Sequence, residues 1–359
     1  MGLRFFTHCC GLAVALGLAG LPSFASERHF GFSYESPILQ SGQKELETYS
    51  DYRFGRDRYY SALDQRLEFE LGLGGGVQTS LYLNFTQEMA DDGTGKIKNS
   101  FLADGISNEW KFKLMDNLTD DFGLGLYLEN GFKPDEYELE TKVILDKRMG
   151  NWLWTFNLTN EPEFHYIHNT LGFSIIPSIG FGYFLVSERF FCGLEVQYWN
   201  FWYDTASPIT ASLFSAGPVL SYSGEDWWAT LTFLPQLVNF RGSGLDLLNS
   251  QRTQIQLGFS IALDANPAPK NVFLPMPNEM DAERLSKITN AVSLEDLIKG
   301  RELYSNNCQK CHSIHEPAEF TMDGWDKIMA KMKLKAGIDN TAKDSIMAYL
   351  NALSKDMAK

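Results

Sequence analysis

The stretch LGFSIIPSIGFGYFL, residues 171–185, alternates from end to end. Leu171, Phe173, Ile175, Ile179, Phe181, Tyr183 and Leu185 share one parity, and Gly172, Ser174, Ser178, Gly180 and Gly182 take most of the other. Successive residues of a strand point to opposite faces, so the segment reads as one long strand with one apolar face. Soluble strands are commonly shorter, whereas a tilted membrane strand needs about 9–11 residues inside lipid, plus extensions beyond it. Pro177 lies on the apolar parity. It cannot donate to the ladder, so a bulge or local irregularity is expected there.

The same period of two runs from about Lys44 to Leu263. Val77, Thr79, Leu81, Leu83 and Phe85 oppose Gln78, Ser80, Tyr82, Asn84 and Thr86. Leu67, Phe69, Leu71 and Leu73 oppose Arg66, Glu68 and Glu70; Tyr137, Leu139, Val143 and Leu145 oppose Glu138, Glu140 and Lys142. Ile255, Leu257, Phe259, Ile261 and Leu263 oppose Gln254, Gln256, Gly258 and Ser260. A slip of one residue would turn every apolar side chain to the wrong face, so these patterns fix register. About twelve such segments are joined by turn-like stretches such as LGGG (73–76), KRMGN (147–151) and GSGLD (242–246). Trp152, Trp154, Trp199, Trp202, Trp227 and Trp228 lie near segment ends, as an interfacial aromatic girdle would require.

The expected fold is an all-β transmembrane barrel of about twelve antiparallel strands over residues 26–263, preferred to a soluble β-sandwich because long strands, aromatic ends and an export signal occur together. Its inward face carries both signs of charge: Arg66, Glu68, Glu70, Lys111, Lys113, Glu129, Glu138, Glu140, Lys142 and Glu195. Buried charges must be paired or hydrated, so the interior is either a hydrated pore or a plug of ion pairs. Residues 27–43 suit either a lumenal plug or a first strand. His165 and His168, three apart, fall on opposite strand faces and read as incidental. Cys192 reads as a small hydrophobe.

The formal charge of −14 over 359 residues argues against a nucleic-acid partner. Aromatic residues make up 14%, yet mean hydropathy is slightly negative, as in barrels that alternate lipid-facing and lumen-facing residues. Residues 1–25 have a basic start at Arg4, an apolar stretch from Cys9 to Leu21 and small residues before Ala25, which reads as an export signal. The expected location is the outer membrane.

After Leu263 the period changes. DANPAPKNVFLPMPNE opens a proline-rich linker assigned to residues 264–293, with a short helix in MDAERLSKITNAV. Residues 294–359 then read as a small all-α module. Ser293 caps its first helix with Asp296 close by. Trp325, Ile328, Met329 and Met332 follow a helical stripe, as do Ile346, Tyr349, Leu350 and Leu353. So few helices bury little surface, so the module needs a cofactor as its core.

NNCQKCHSIH, residues 306–315, supplies the attachment. Cys308 and Cys311 stand three apart and can bond the two vinyl groups of one haem, with His312 beneath the iron as axial ligand. A redox dithiol would need a βαβ setting, and a zinc site a second cysteine pair. For the opposite axial position Met322, Met329 and Met332 are all open on the residues alone, whereas His315 is too close to His312 to reach it.

Residues 294–354 resemble a class I c-type cytochrome domain, with Gly300 and Tyr304 in the first helix, the CQKCH pentapeptide and a closing helix containing IMAYL. GWDKIMAKM resembles a subgroup in which the distal methionine follows a tryptophan by seven residues. The resemblance implies one covalent haem c, with Trp325 and Tyr304 in its pocket, Met332 as distal ligand and Met329 second to it. It also implies electron transfer rather than catalysis; no second cofactor motif or acid–base set argues for an enzyme. Lys327, Lys331, Lys333 and Lys335 are either a solvated face or a docking ring for an acidic periplasmic redox partner. The whole chain resembles porin–cytochrome fusions, with the order of the two parts reversed. The alternative is a solute channel or scaffold barrel that tethers a periplasmic carrier.

Overall fold

The structure, a computed structural model, describes residues 28–117, 120–185, 189–224, 226–263, 274–308 and 314–357, and of residues 334 and 335 the backbone only. Twelve strands follow one another: β1 (Lys44–Phe54), β2 (Tyr60–Gly74), β3 (Val77–Asp91), β4 (Ile97–Met115), β5 (Gly123–Phe132) and β6 (Glu136–Met149). Then come β7 (Trp152–His165), β8 (Thr170–Phe184), β9 (Phe190–Trp202), β10 (Ala211–Ser223), β11 (Trp227–Asn239) and β12 (Thr253–Ala262). Each pairs antiparallel with its neighbours, and β1 pairs with both β2 and β12, so the sheet closes into a barrel. Closure removes every free edge and excludes the sandwich.

The alternation sets the two faces. Outward, Leu81 is 61% exposed and Leu83, Leu194, Leu220, Leu231 and Leu257 are also exposed, a belt unfavourable in water and satisfied by lipid. Inward, Glu68, Glu70, Glu109, Glu129, Lys142 and Glu195 are buried. Trp199 and Trp228 correct the expected girdle. Trp228 is buried in the lumen beside Tyr49, and Trp199 lines an inner cavity. Pro177 makes no bulge: it faces Leu158 on β7 in register, but the ladder to β9 is interrupted between Ile175↔Asn200 and Ser178↔Gln197 without a shift.

With an even number of antiparallel strands, β1 starts and β12 ends at the same rim, which in an outer-membrane barrel is the periplasmic one. The connections on this rim include the tight turn at Gly74, Gly75 and Gly76, all at positive φ.

Residues 28–43 are not a strand. They thread the lumen as a plug whose backbone is satisfied by strand side chains. The Glu195 carboxylate accepts from the N–H groups of Gly31, Phe32 and Ser33 at 2.9, 3.0 and 2.8 Å, and from Thr232 Oγ1 at 2.7 Å. Asn157 Oδ1 accepts from Tyr34 N–H at 2.6 Å, and its Nδ2 donates to the Tyr34 carbonyl at 2.9 Å. Gln78 Oε1 accepts from Leu39 N–H, and Lys111 Nζ donates to the Pro37 carbonyl, both at 2.8 Å. Phe30 packs with Leu153, Phe184, Phe191 and Val219. Arg66 pairs with Glu129 and Lys142 with Glu140 alongside. Chain and ion pairs thus occupy this part of the lumen.

Beyond the barrel lie α1 (Glu279–Ser286), α2 (Leu294–Cys308), a short turn at Pro317–Glu319, α3 (Met322–Ala336) and α4 (Asn340–Ala352). Ser293 and Asp296 cap α2 reciprocally, with Ser293 N–H to Asp296 Oδ2 at 3.0 Å and Asp296 N–H to Ser293 Oγ at 3.2 Å. Gly300 lets α2 and α4 approach closely: a Cβ there would lie 2.1 Å from the Ser345 carbonyl oxygen and 2.9 Å from Tyr349 Cβ. Among the described residues no helix is long and apolar enough to cross a membrane.

Candidate functional site

The helical module is built around Tyr304, Trp325, Met329, Ile346, Tyr349 and Leu350, one buried cluster. Two hydrogen bonds fasten the segment that follows the pentapeptide. Tyr304 Oη donates to the His315 carbonyl at 3.0 Å, and Trp325 Nε1 donates to the Pro317 carbonyl at 2.8 Å. Burial holds the Tyr304 phenol well above its ordinary value, so it remains a donor at neutral pH. Phe320 meets the Trp325 ring edge-to-face with centroids 5.0 Å apart. Arg301 and Tyr349 bind the carbonyls of Leu274 and Pro275, tying the end of the linker to the module.

These elements leave an open cleft of about 230 Å³. One wall is apolar, formed by Tyr304, Phe320, Trp325, Ile328, Met329 and Met332, with Cys308 also on the lining. The facing wall belongs to the barrel's periplasmic rim: Pro37, Ile38 and Gln40 of the plug, and Lys113, Asp116 and Asn117 at the β4–β5 turn. Lys113 Nζ meets Asp116 Oδ2 at 3.0 Å on that rim.

A haem, a flat apolar macrocycle, needs an apolar wall, a thiol at its edge and a soft donor within the cleft. The described lining offers an apolar wall, the Cys308 thiol and the Met332 thioether. Cys311 and His312 lie outside the described residues. The two methionines differ: Met329 is 3% exposed within the core cluster, whereas Met332 is only partly buried and lies outside that cluster. Of the lysines, Lys327 pairs with Asp323 at 2.7 Å, Lys333 donates to Asn340 and Lys331 lines the cleft. Lys335's side chain lies outside the described residues.

Two features of the outer end were not read from sequence. A cavity of about 330 Å³ opens there, lined by Arg53, Arg56, Gln197, Trp199, Gln236 and Gln254 among others. His165, taken as incidental, hydrogen-bonds Glu136 Oε2 through Nδ1 at 2.8 Å, with Glu163 Oε2 at 3.8 Å from Nε2. Glu163 stands two residues away on the same strand face, and Glu136 stands opposite on the adjacent strand, where local spacing could not reveal it.

Fold and lumen together define a porin-like, outer-membrane-type β-barrel with a helical module at its periplasmic rim. The chain belongs to the DUF6662 family, a family of unknown function, whose model matches residues 22–261, the plug and barrel. No curated protein matches it. Among solved structures, an outer membrane channel from Pseudomonas putida F1 is 9% identical, with 63% of this chain and 97% of that one covered and a TM-score of 0.49. The KdgM porin is 11% identical, with coverages of 61% and 99% and a TM-score of 0.38. The NanC porin is 12% identical, with coverages of 60% and 98% and a TM-score of 0.40.

Proposed function

We propose that the protein is an outer-membrane electron carrier: a plugged barrel that holds one covalent c-type haem at its periplasmic mouth. The observation that carries this reading is the cleft, in which Cys308 of the CQKCH sequence stands with Trp325 and Met332 against the barrel rim. Bound there, a haem supplies one-electron chemistry. The chain's own residues do the rest. Cys308 and Cys311 would fix the group covalently, and His312 and Met332 would ligate its iron. Tyr304 and Trp325 hold the segment after the pentapeptide by the His315 and Pro317 carbonyls, and the apolar wall would exclude water. His/Met ligation raises the reduction potential and suits electron transfer to or from a periplasmic partner protein.

The plug favours a scaffold over an open solute channel. A second reading, a conduit across the membrane, would have to span an apolar band about 25 Å tall with one haem at one end. The outer cavity with Arg53 and Arg56 keeps it in view, as a place for a small polar acceptor.

The test uses full-length protein made with cytochrome-maturation machinery and reconstituted in vesicles. Met332→Ala should abolish the methionine–iron absorption band, and Met329→Ala should retain it; the reverse result would exchange the two residues. An impermeant oxidised dye inside, with impermeant reductant outside, should stay oxidised. Dye reduction above a barrel-only control would replace the scaffold reading with the conduit.

A further inference from the structure

The periplasmic half of the lumen holds carboxylates that the proposed function does not use. Register forces them together. Glu45 lies opposite Glu70 and Glu47 opposite Glu68 across β1 and β2, all pointing inward. Ser80 of β3 stands opposite Glu70 on one side and opposite Glu109 of β4 on the other. One oxygen from each of Glu68, Glu70 and Glu109 lies within 4.8 Å of the others, and the same holds for Glu45, Glu47 and Glu70.

The cations that line the cavity beside these carboxylates among the described residues, Arg28 and Lys111, are also engaged elsewhere. Arg28 donates to Tyr49 Oη at 2.6 Å and to the carbonyls of Phe30 and Gly31. Lys111 donates to the Pro37 carbonyl. Tyr49 donates to Glu47 and Tyr82 to Glu109, which supplies hydrogen bonds but no positive charge. Like charges in a dry interior need compensation by a cation or by protons.

Among the described residues, three buried atoms here have no hydrogen-bond partner: Ser80 Oγ, Glu68 Oε1 and Glu70 Oε2. Ser80 and Glu68 are each 1% exposed and Glu70 is 6% exposed. The cavity, of about 30 Å³, is lined by Glu47, Glu68, Glu70, Gln78 and Glu109 together with Arg28 and Lys111, and Ser80 lies between Glu70 and Glu109 in the ladder. That volume holds a single ion or water. Oxygens less than 4.8 Å apart can sit around one ion that binds at about 2.3–2.6 Å. The donors are all oxygen, which suits a hard cation rather than zinc or copper.

We propose that this cavity binds one Ca²⁺, held by Glu68, Glu70 and Glu109 with Ser80 and Glu47 completing the shell. The ion lies between strands β1–β4 and the plug, whose Tyr34 and Pro37 close the cavity. The competing arrangement is protons shared among the same carboxyl groups, with no metal.

Full-length protein in detergent, stripped with chelator, is titrated with Ca²⁺ by calorimetry. One Ca²⁺ per chain is expected, with affinity at least tenfold weaker in Glu70→Gln that still folds as a barrel. Ser80→Ala, a milder change, should weaken binding severalfold and decides the matter if Glu70→Gln does not fold. Glu163→Gln, which removes the outer His165 cluster, should bind as wild type does. The proposal is overturned by absence of uptake in wild type, by unchanged affinity in Glu70→Gln or, where that variant does not fold, in Ser80→Ala, or by loss of binding in Glu163→Gln.

Discussion

His315 Nδ1 and Glu319 Oε2 are 2.8 Å apart beside the cleft. Burial disfavours ionised Glu319, but hydrogen bonds from His315 and from the Glu316 N–H, with the charge of His315, outweigh it. The carboxyl therefore titrates below its ordinary value of 4.5. A lowered folded-state pKa gives stability that is full above the unfolded value and lost as pH falls through the folded one. Thermal melting of the helical module, followed by circular dichroism, should therefore drop as pH is lowered through and below 4.5, and Glu319→Gln should flatten that limb. An equally steep acid limb in the variant would remove Glu319 from the account. At this scale the sequence was legible where the contact is local, as in the Ser293–Asp296 cap. It was not legible where partners are distant: nothing near Glu195 in the chain announces that it will bind Gly31, Phe32 and Ser33.

Elements were legible in proportion to their period. The strands β3, β6 and β8 point as their alternation requires, because a closed sheet between lipid and lumen penalises any slip. Tryptophan is less informative, since a ring suits an interface and a crowded lumen equally, and so Trp199 and Trp228 were placed on the wrong side. The plug was ambiguous because a segment whose hydrogen bonds go to side chains shows no period. In the module the decisive element contact is α2 against α4 at Gly300. Gly300→Ala should lower the module's stability by about 1–3 kcal/mol, the usual cost of overpacking, because the methyl would strike the Ser345 carbonyl. Denaturant melts of the α-helical signal would measure it; an unchanged midpoint would mean that the helices do not cross this closely.

For the whole molecule, the plug occupies the barrel's lumen and is held there by strand side chains. Wild-type protein in planar bilayers should conduct little, and Glu195→Ala should raise conductance. That substitution orphans three backbone N–H groups inside the lumen, each at a cost of about 1–3 kcal/mol. Large, steady wild-type conductance would return the channel reading to first place. The two-part organisation was legible from the loss of alternation after Leu263, whereas the facing of cleft and barrel rim was not, because it joins Pro37 and Lys113 to residues about 190 to 310 positions away.

The central claim is tested most directly by haem stain on unboiled and boiled gels of the outer-membrane fraction, from cells with full cytochrome-maturation machinery. The account predicts that stain follows the chain as it shifts between folded and unfolded mobility, and disappears in the Cys308→Ser, Cys311→Ser double variant. A folded, heat-modifiable barrel that carries no stain would contradict it.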